Sequence, residues 1–352
     1  MNQKSTIKDI ARLLNIHHST VSRALRNHPD VNQDTKKKVQ EAAKRLNYMP
    51  NVFARNLKSN LTNFIGVIVP EIEHHFFSSA ISGMEKILYD ADYVILVCQS
   101  NEDFKREVLN TRALISNNVA GLIVSLSQTT VNFDHFRQYL ANDGKIVFFD
   151  RVPPDLAAPT VVVDDYESAF KATSHLIGLG RRKIAHLAGA EGVTITKLRA
   201  SGYKDALEQN GLVYDPDLVE FGGFHETDGY TGLKKILART GTADAVFAVN
   251  DPNAIGAYQL IKEKSLTIPD DVAVVGFSDN PIAAVVTPSL TTIAQPGYQM
   301  GEMAARILID MIYGKIKKQS DLKKVINTKL VIRESTSGKK EWLIPANEAV
   351  ST

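Results

Sequence analysis

Between Ile16 and Asn27 the chain reads IHHSTVSRALRN, in which only Ile16, Val21, Ala24 and Leu25 can face a core. The two histidines, two serines, one threonine and two arginines that remain crowd one short helix with hydrogen-bonding groups. A helix of this kind can read base edges in a DNA major groove. Arg23 can pair with both acceptors of a guanine, and His18 or Ser19 can read the adjacent base. The Thr20 and Ser22 hydroxyls are placed for phosphates, which position a protein without specifying sequence. The competing assignment is an idle solvated face, and the charge distribution weighs against it. Residues 1–60 hold twelve Lys and Arg against four Asp and Glu, a balance of +8 that leaves −6 for the rest of the chain. A basic head on an acidic body is the electrostatic footprint of a nucleic-acid binder.

A second set of candidates follows the apolar runs further on. Phe76-Phe77, Asp150-Arg151, Asp164-Asp165, Arg199, Phe224, Asn250-Asp251, Ser278-Asp279 and Gln295 stand just after strand-like segments or at the start of the next helix. Carboxylates, amides and an arginine beside aromatic rings suit a hydroxyl-rich small molecule. Each one taken singly serves equally well as a helix cap.

The elements that position the first set are legible. Thr6 and Asp9 begin a helix whose inward stripe is Ile7, Ile10, Ala11 and Leu14. Asn15 tolerates the left-handed turn that follows. A second helix is expected over His18–Arg26, and a third, capped by Asn32, buries Thr35, Val39, Ala42 and Leu46. Three short helices with a tight turn between the first two make a helix-turn-helix module, whose second helix enters the major groove. Pro50 opens a further two-turn helix through Val52, Ala54, Arg55 and Leu57, too short to hold alone in water. Leu57 on that polar segment is suited to wedge into a minor-groove step and kink the duplex.

From Phe64 to Ile293, apolar strand-length runs such as FIGVIVP alternate with amphipathic helical segments such as Ser78–Ala91 and Tyr166–Leu179. Near-continuous Val, Ile and Leu strands between helices mean parallel sheets covered on both faces. Their number calls for two doubly wound lobes, with a ligand cleft at the strand carboxyl ends. The fold expected is therefore an all-α helix-turn-helix head plus an α/β core of two doubly wound parallel-sheet lobes. The head takes residues 1–47, a hinge and linker 48–62, the core 63–335 and a tail 336–352. Within the core, lobe 1 covers about 63–161 and 293–322, and lobe 2 about 162–292 and 323–335.

The segment TIKDIARLLNIHHSTVSRALRNHPDVNQDTKKKVQEAAKRLNYMPNVFARNLKS resembles the DNA-binding domain and hinge of the LacI/GalR family of bacterial transcriptional regulators. The stretches GRRKIAHLAG, LRASGYKDAL, AVFAVNDPNAIGAYQ, IPDDVAVVGFSD and TPSLTTIAQP resemble that family's periplasmic-binding-protein-like core. The resemblance implies base reading at His18, Ser19 and Arg23, phosphate contacts at Thr20, Ser22 and Asn51, and a minor-groove leucine at Leu57. It implies effector contacts at Phe77, Asp150, Arg199, Phe224, Asn250 and Gln295. Three positions depart from the family pattern: Asn15 replaces a turn glycine, His17 replaces a capping serine, and Ser278-Asp279 stands where an acid commonly follows GF. The second departure predicts a reading helix that starts loosely or one residue late. The third leaves open whether Ser278 or Asp279 faces the ligand.

The partners expected are double-stranded operator DNA, a second copy of the chain, and a small-molecule effector: a sugar, sugar acid or phosphosugar. Arg151 and Lys197 beside the cleft favour the acidic versions. The lack of leucine heptads near the C-terminus favours a dimer over a coiled-coil tetramer. A lone cysteine, Cys98, within YVILVCQS rules out an internal disulfide. With no signal-peptide core and no apolar run of membrane-spanning length, the expected compartment is the cytoplasm. Neither a nucleotide-binding, hydrolase nor metalloprotease motif occurs, so no enzyme, cofactor or metal is expected, and His74-His75 reads as loop surface. A solute-binding protein is the alternative that the core alone would suit, and the basic head argues against it.

Overall fold

The computed structural model describes residues 5–25, 28–46, 48, 62–316 and 322–337. The chain divides into two compact units, Met1–Thr62 and Asn63–Thr352.

In the first unit, α1 (Ile7–Leu14), α2 (His18–Leu25) and α3 (Gln33–Arg45) enclose a small core of Ile10, Val21, Ala24, Val31, Val39 and Ala42. The Asp9 carboxylate accepts both the Thr6 N–H at 2.8 Å and the Thr6 hydroxyl at 2.7 Å. That places negative charge at the positive end of α1. Asn15 takes φ 50°, the left-handed conformation that a turn glycine would otherwise supply. His17 does not displace the start of α2, which begins at His18. Its Nδ1 lies 2.8 Å from the Ser19 hydroxyl and accepts the Ser19 N–H at 3.4 Å. An imidazole nitrogen thus takes over the role of a serine oxygen. Asn32 caps α3 by accepting the Thr35 N–H at 2.7 Å. Val39 and Ala42 are buried as expected, whereas Thr35 and Leu46, at the two ends of α3, are only half-buried. Arg26 and the hinge positions Asn51 and Leu57 lie outside the described residues.

The second unit holds two six-stranded sheets. Lobe 1 uses β1 (Phe64–Val69), β2 (Val94–Gln99), β3 (Gly121–Val124), β4 (Ile146–Phe149) and β5 (Thr160–Val163). Lobe 2 uses β6 (Ile184–Gly189), β7 (Val219–Phe221), β8 (Ala245–Ala248), β9 (Ala273–Ser278) and β10 (Thr291–Ala294). Two short strands close the sheets: β11 (Lys323–Ile326) pairs with β5 in lobe 1, and β12 (Lys329–Val331) with β10 in lobe 2. The orders are β11-β5-β4-β3-β1-β2 and β12-β10-β9-β8-β6-β7, all parallel except for β12 against β10.

The chain passes between lobes after β5, after β10 and after β11. These points correct the expected lobe limits by a few residues. Residues 162–163 finish β5 of lobe 1, 293–294 finish a strand of lobe 2, and 323–326 belong to lobe 1, because each strand keeps its hydrogen-bonded register to its last residue. Helix Gly297–Ile312 returns to lobe 1 against helix His75–Asp90. A Cβ at Gly301 would fall onto the Ala80 carbonyl, so this close approach requires glycine. The expected tail boundary at 336 also moves. Ser335 donates to the Val274 carbonyl at 2.6 Å, and Thr336 hydrogen-bonds Thr291, which locks helix Glu334–Ser337 onto lobe 2.

One buried acid fixes the loop after β9. Asp251 accepts the Thr292 hydroxyl and the Asn280 N–H, each at 2.6 Å, and is fully enclosed. Burial pushes its carboxyl from the ordinary 3.8 up to about 7, against the pull of those two hydrogen bonds. A carboxyl raised in the folded state favours the fold when protonated. Its contribution is complete at acid pH and is lost as pH rises through about 7. We expect urea-unfolding stability to fall between about pH 4 and 7, and Asp251→Asn to flatten that part of the profile. An unchanged slope in the variant would place the titration elsewhere.

Candidate functional site: a reading helix and a cleft between lobes

On α2, His18 and Arg23 are exposed and Ser19, Thr20 and Ser22 half-exposed, while Val21 and Ala24 are completely buried. The five polar residues proposed for DNA therefore lie away from the core of the head. Neither Arg23 nor His18 is engaged in an ion pair that would have to be broken first, among the described residues.

In the second unit, a cavity of about 40 Å³ lies where the carboxyl ends of both sheets meet. Of the eight proposed effector residues, Phe77, Asp150, Arg199, Phe224, Asn250, Ser278 and Gln295 line it. Asp279 does not: its carboxylate turns away to accept the Arg333 guanidinium at 2.7 Å. Of the two residues after GF, Ser278 is therefore the one that faces the cavity. Arg333, near the end of the described chain, is the partner that position alone could not reveal.

Each lining residue is held by its neighbours. Arg199 donates from Nε to Asp165 at 2.8 Å and from Nη1 to the Val249 carbonyl at 2.5 Å. Its Nη2 lies 2.7 Å from Asp165, and its guanidinium rests 3.5 Å from the centre of the Phe277 ring. Burial pushes the Asp165 carboxyl up to about 6, while the Arg199 charge beside it draws it down. Asp150 accepts the Gln295 side-chain amide at 2.9 Å, a link from lobe 1 to the strand-end segment that follows β10. Burial raises its carboxyl as well, opposed by Arg151 and Arg199. Asn250 lines the cavity and also caps the helix Asp251–Glu263, accepting the Asn253 N–H at 2.9 Å. Asp164 is a cap alone, exposed and accepting the Glu167 N–H at 2.9 Å.

Arg151 joins the lining, but its charge is already matched. Glu102 accepts it through both oxygens, at 2.7 and 2.8 Å, and both side chains are buried. The guanidinium of Arg151, from lobe 1, lies 4.2 Å from the ring centre of Phe224, from lobe 2. Its Nε–H is buried and bonded to no protein group. Lys197 lines a separate hollow with Val152 and Gly192 and does not reach the central cavity.

Glu102, Asp150, Ser278 and Asp279 all take positive φ, between 55° and 111°. Non-glycine residues in such conformations cost of order 1 kcal/mol each and persist where surrounding bonds enforce them. Of these, Asp150 and Ser278 line the cavity, and Glu102 holds Arg151, which lines it too.

Lining residues that position in the sequence did not single out are His74, Ile195, Pro252 and Asn280. Asn280, directly after the GFSD segment, carried a usable signal. His74 did not: it reads as loop surface, yet it is largely buried and faces the cleft. Although no metal ligands were expected, Glu71 and His74 of lobe 1 come together with His225 of lobe 2.

A helix-turn-helix head and a two-lobed binding core define a ligand-responsive DNA-binding regulator. The family model for bacterial regulatory proteins of the lacI family matches residues 6–51, and that for a periplasmic binding protein-like domain matches 173–336. The HTH-type transcriptional regulator RegA of Clostridium saccharobutylicum is 33% identical over 94% of this chain and 99% of its own. The HTH-type transcriptional repressor CytR of Escherichia coli is 31% identical over 94% and 96%. Among solved structures, a transcriptional regulator CelR–cellobiose complex is 27% identical, with a TM-score of 0.71 over 94% of this chain and 100% of that one. The chain belongs to the lacI family and is a DNA-binding transcriptional repressor with a periplasmic-binding-protein-like core. None of its described helices is long and apolar enough to cross a membrane.

The Arg151–Glu102 pair yields a direct test. Arg151→Met should cost about 3–5 kcal/mol in urea unfolding by stranding a buried carboxylate. Adding Glu102→Gln should recover most of that loss. Equal stability of the single and double variants would show that Glu102 does not depend on Arg151.

Proposed function

We propose that the protein acts as a homodimer on a near-palindromic operator and is controlled by a neutral, hydroxyl-rich small molecule of sugar type bound between the lobes. One observation carries the ligand class: the cationic groups at the cavity are already neutralised. Arg151 is matched by Glu102 and Arg199 by Asp165, which leaves Asp150 as the uncompensated group. An anionic ligand would meet no free positive charge there, whereas hydroxyls find the Asp150 and Gln295 side chains, Ser278, Asn250 and the spare Arg151 N–H. This favours a plain sugar over the sugar acid or phosphosugar that Arg151 and Lys197 suggested. The related regulator solved with cellobiose supports a sugar-type ligand by analogy.

The 40 Å³ cavity has room for a few water molecules, so a sugar enters when the lobes separate or the lining side chains move. A ligand that favours one lobe angle shifts the population of that state. In a dimer, this alters the spacing of the two reading heads, which require half-sites about one helical turn apart. The dimer reading draws on the exposed apolar side chains of lobe 1 on and beside edge strand β2: Tyr89, Val94, Val97 and Leu109.

On the DNA side, Arg23→Ala should weaken operator binding about tenfold or more and relax preference at one base pair. Leu57→Ala should reduce both affinity and DNA bending while the fold stays intact. Unchanged affinity and bend would remove Leu57 from the minor groove. On the ligand side, a panel of neutral sugars, sugar acids, phosphosugars and nucleobases is read by thermal shift. A ligand at about 100 times its Kd adds roughly 2.7 kcal/mol and raises the midpoint by a few degrees. Hits confined to neutral sugars support the charge argument, and hits confined to acids overturn it.

A further inference from the structure

At the mouth of the cleft, beside the central cavity that His74 also lines, three metal-ligating side chains converge from both lobes. The His74 Nε2 lies 2.9 Å from Glu71 Oε2, and the His225 Nε2 lies 3.4 Å from Glu71 Oε1. One ligand atom from each of the three falls within 4.8 Å of the others, and the two imidazole rings lie near-parallel with centroids 5.5 Å apart. Both Nε2 atoms thus lie close to one carboxylate.

A simple ion-pair latch accounts poorly for this arrangement. The His74 Nε2 is buried and makes no hydrogen bond, although the Glu71 oxygen is within ion-pair reach. The pair is close but misaligned for a shared proton. A neutral ring with its lone pair on Nε2 is a metal donor. The hollow beside the cluster, about 590 Å³ and lined also by Glu73, His75, Glu226 and Thr227, leaves a further coordination position open.

We propose that Glu71, His74 and His225 form a divalent transition-metal site that closes across the two lobes. Two imidazoles and one carboxylate suit zinc, with bonds of about 2.0–2.2 Å, and an open fourth position takes water. Imidazole donors disfavour calcium and magnesium, which want oxygen. Since the ligands come from both lobes, the ion binds the closed cleft more tightly than the open one and shifts the lobes towards closure. The site adjoins the effector cavity, which His74 also lines, and the inference rests on neither the operator nor the sugar.

The test titrates zinc into chelator-stripped full-length protein by calorimetry and by competition with a chromogenic chelator. Wild type should take one ion per chain through this site. His225→Ala and His74→Gln should each weaken that binding about 100-fold. His225 stands at the N-cap of the helix Glu226–Thr240, so metal-free melting temperatures of the variant and wild type separate a loss of fold from a loss of ligand. X-ray absorption of the zinc form should show two imidazoles on the metal. Zinc affinity that is the same in wild type, His225→Ala and His74→Gln would overturn the site and leave an inter-lobe ion pair only. Binding through other histidines, such as His17 and His18 of the head, would produce that same result.

Discussion

The Arg199 guanidinium is the point on which the second lobe depends. It stands at the start of the helix Thr194–Gln209 and is bound to Asp165 on the neighbouring helix, to the backbone at the end of β8, and to the face of Phe277 on β9. Three strand-helix units are thereby tied at the carboxyl edge of the sheet, where ligands bind in such folds. The pair is almost completely buried, so either charge alone would be very costly. The strands can deliver Phe224, Asn250 and Ser278 to one cavity because this ion pair sets the height at which they end.

Around that pair, the site economises on net charge. Glu102 matches Arg151, Asp165 matches Arg199, and Arg333 draws Asp279 out of the cavity. Two of these carboxylates lie in left-handed backbone, at Glu102 and Asp279, as do Asp150 and Ser278. The strain and the charge compensation are two aspects of one arrangement. Sharp strand-end turns aim carboxylates at cations that a smooth turn would leave unpaired. What remains directed inward is a set of neutral donors and acceptors around one acid.

Much of this could be read from residue order alone. Thr6 with Asp9, Asn15 and Asn32 act through local hydrogen bonds or local backbone preference, and the structure places them as expected. The long apolar strands were equally legible, since a buried parallel strand must be apolar throughout. The strands that escaped notice are β11 and β12, which read KKVI and KLV. As edge strands they bury little, and lysines on an edge guard against unwanted pairing, so their apolar signal is weak. The turning of Asp279 towards Arg333, the neutralisation of Arg151 by Glu102 and the meeting of His74 with His225 are contacts between residues remote in sequence. No local pattern encodes them. Position near a strand end or helix start identified nine of the thirteen cavity residues, but it could not reveal which charges were already satisfied.

Between β11 in lobe 1 and β12 in lobe 2 lie only Asn327 and Thr328. Even fully extended, two residues span roughly 7 Å. The last crossing is therefore a short leash. With one strand anchored in each sheet, it leaves the lobes free to pivot about that point but gives them almost no freedom to slide apart. Any opening wide enough to admit a ligand must be a swing that is large at the far side of the cleft and small beside the leash. The other two crossings are no longer than this one, Asp164 alone after β5 and Gln295-Pro296 after β10, so the three together set the line about which the lobe angle can change.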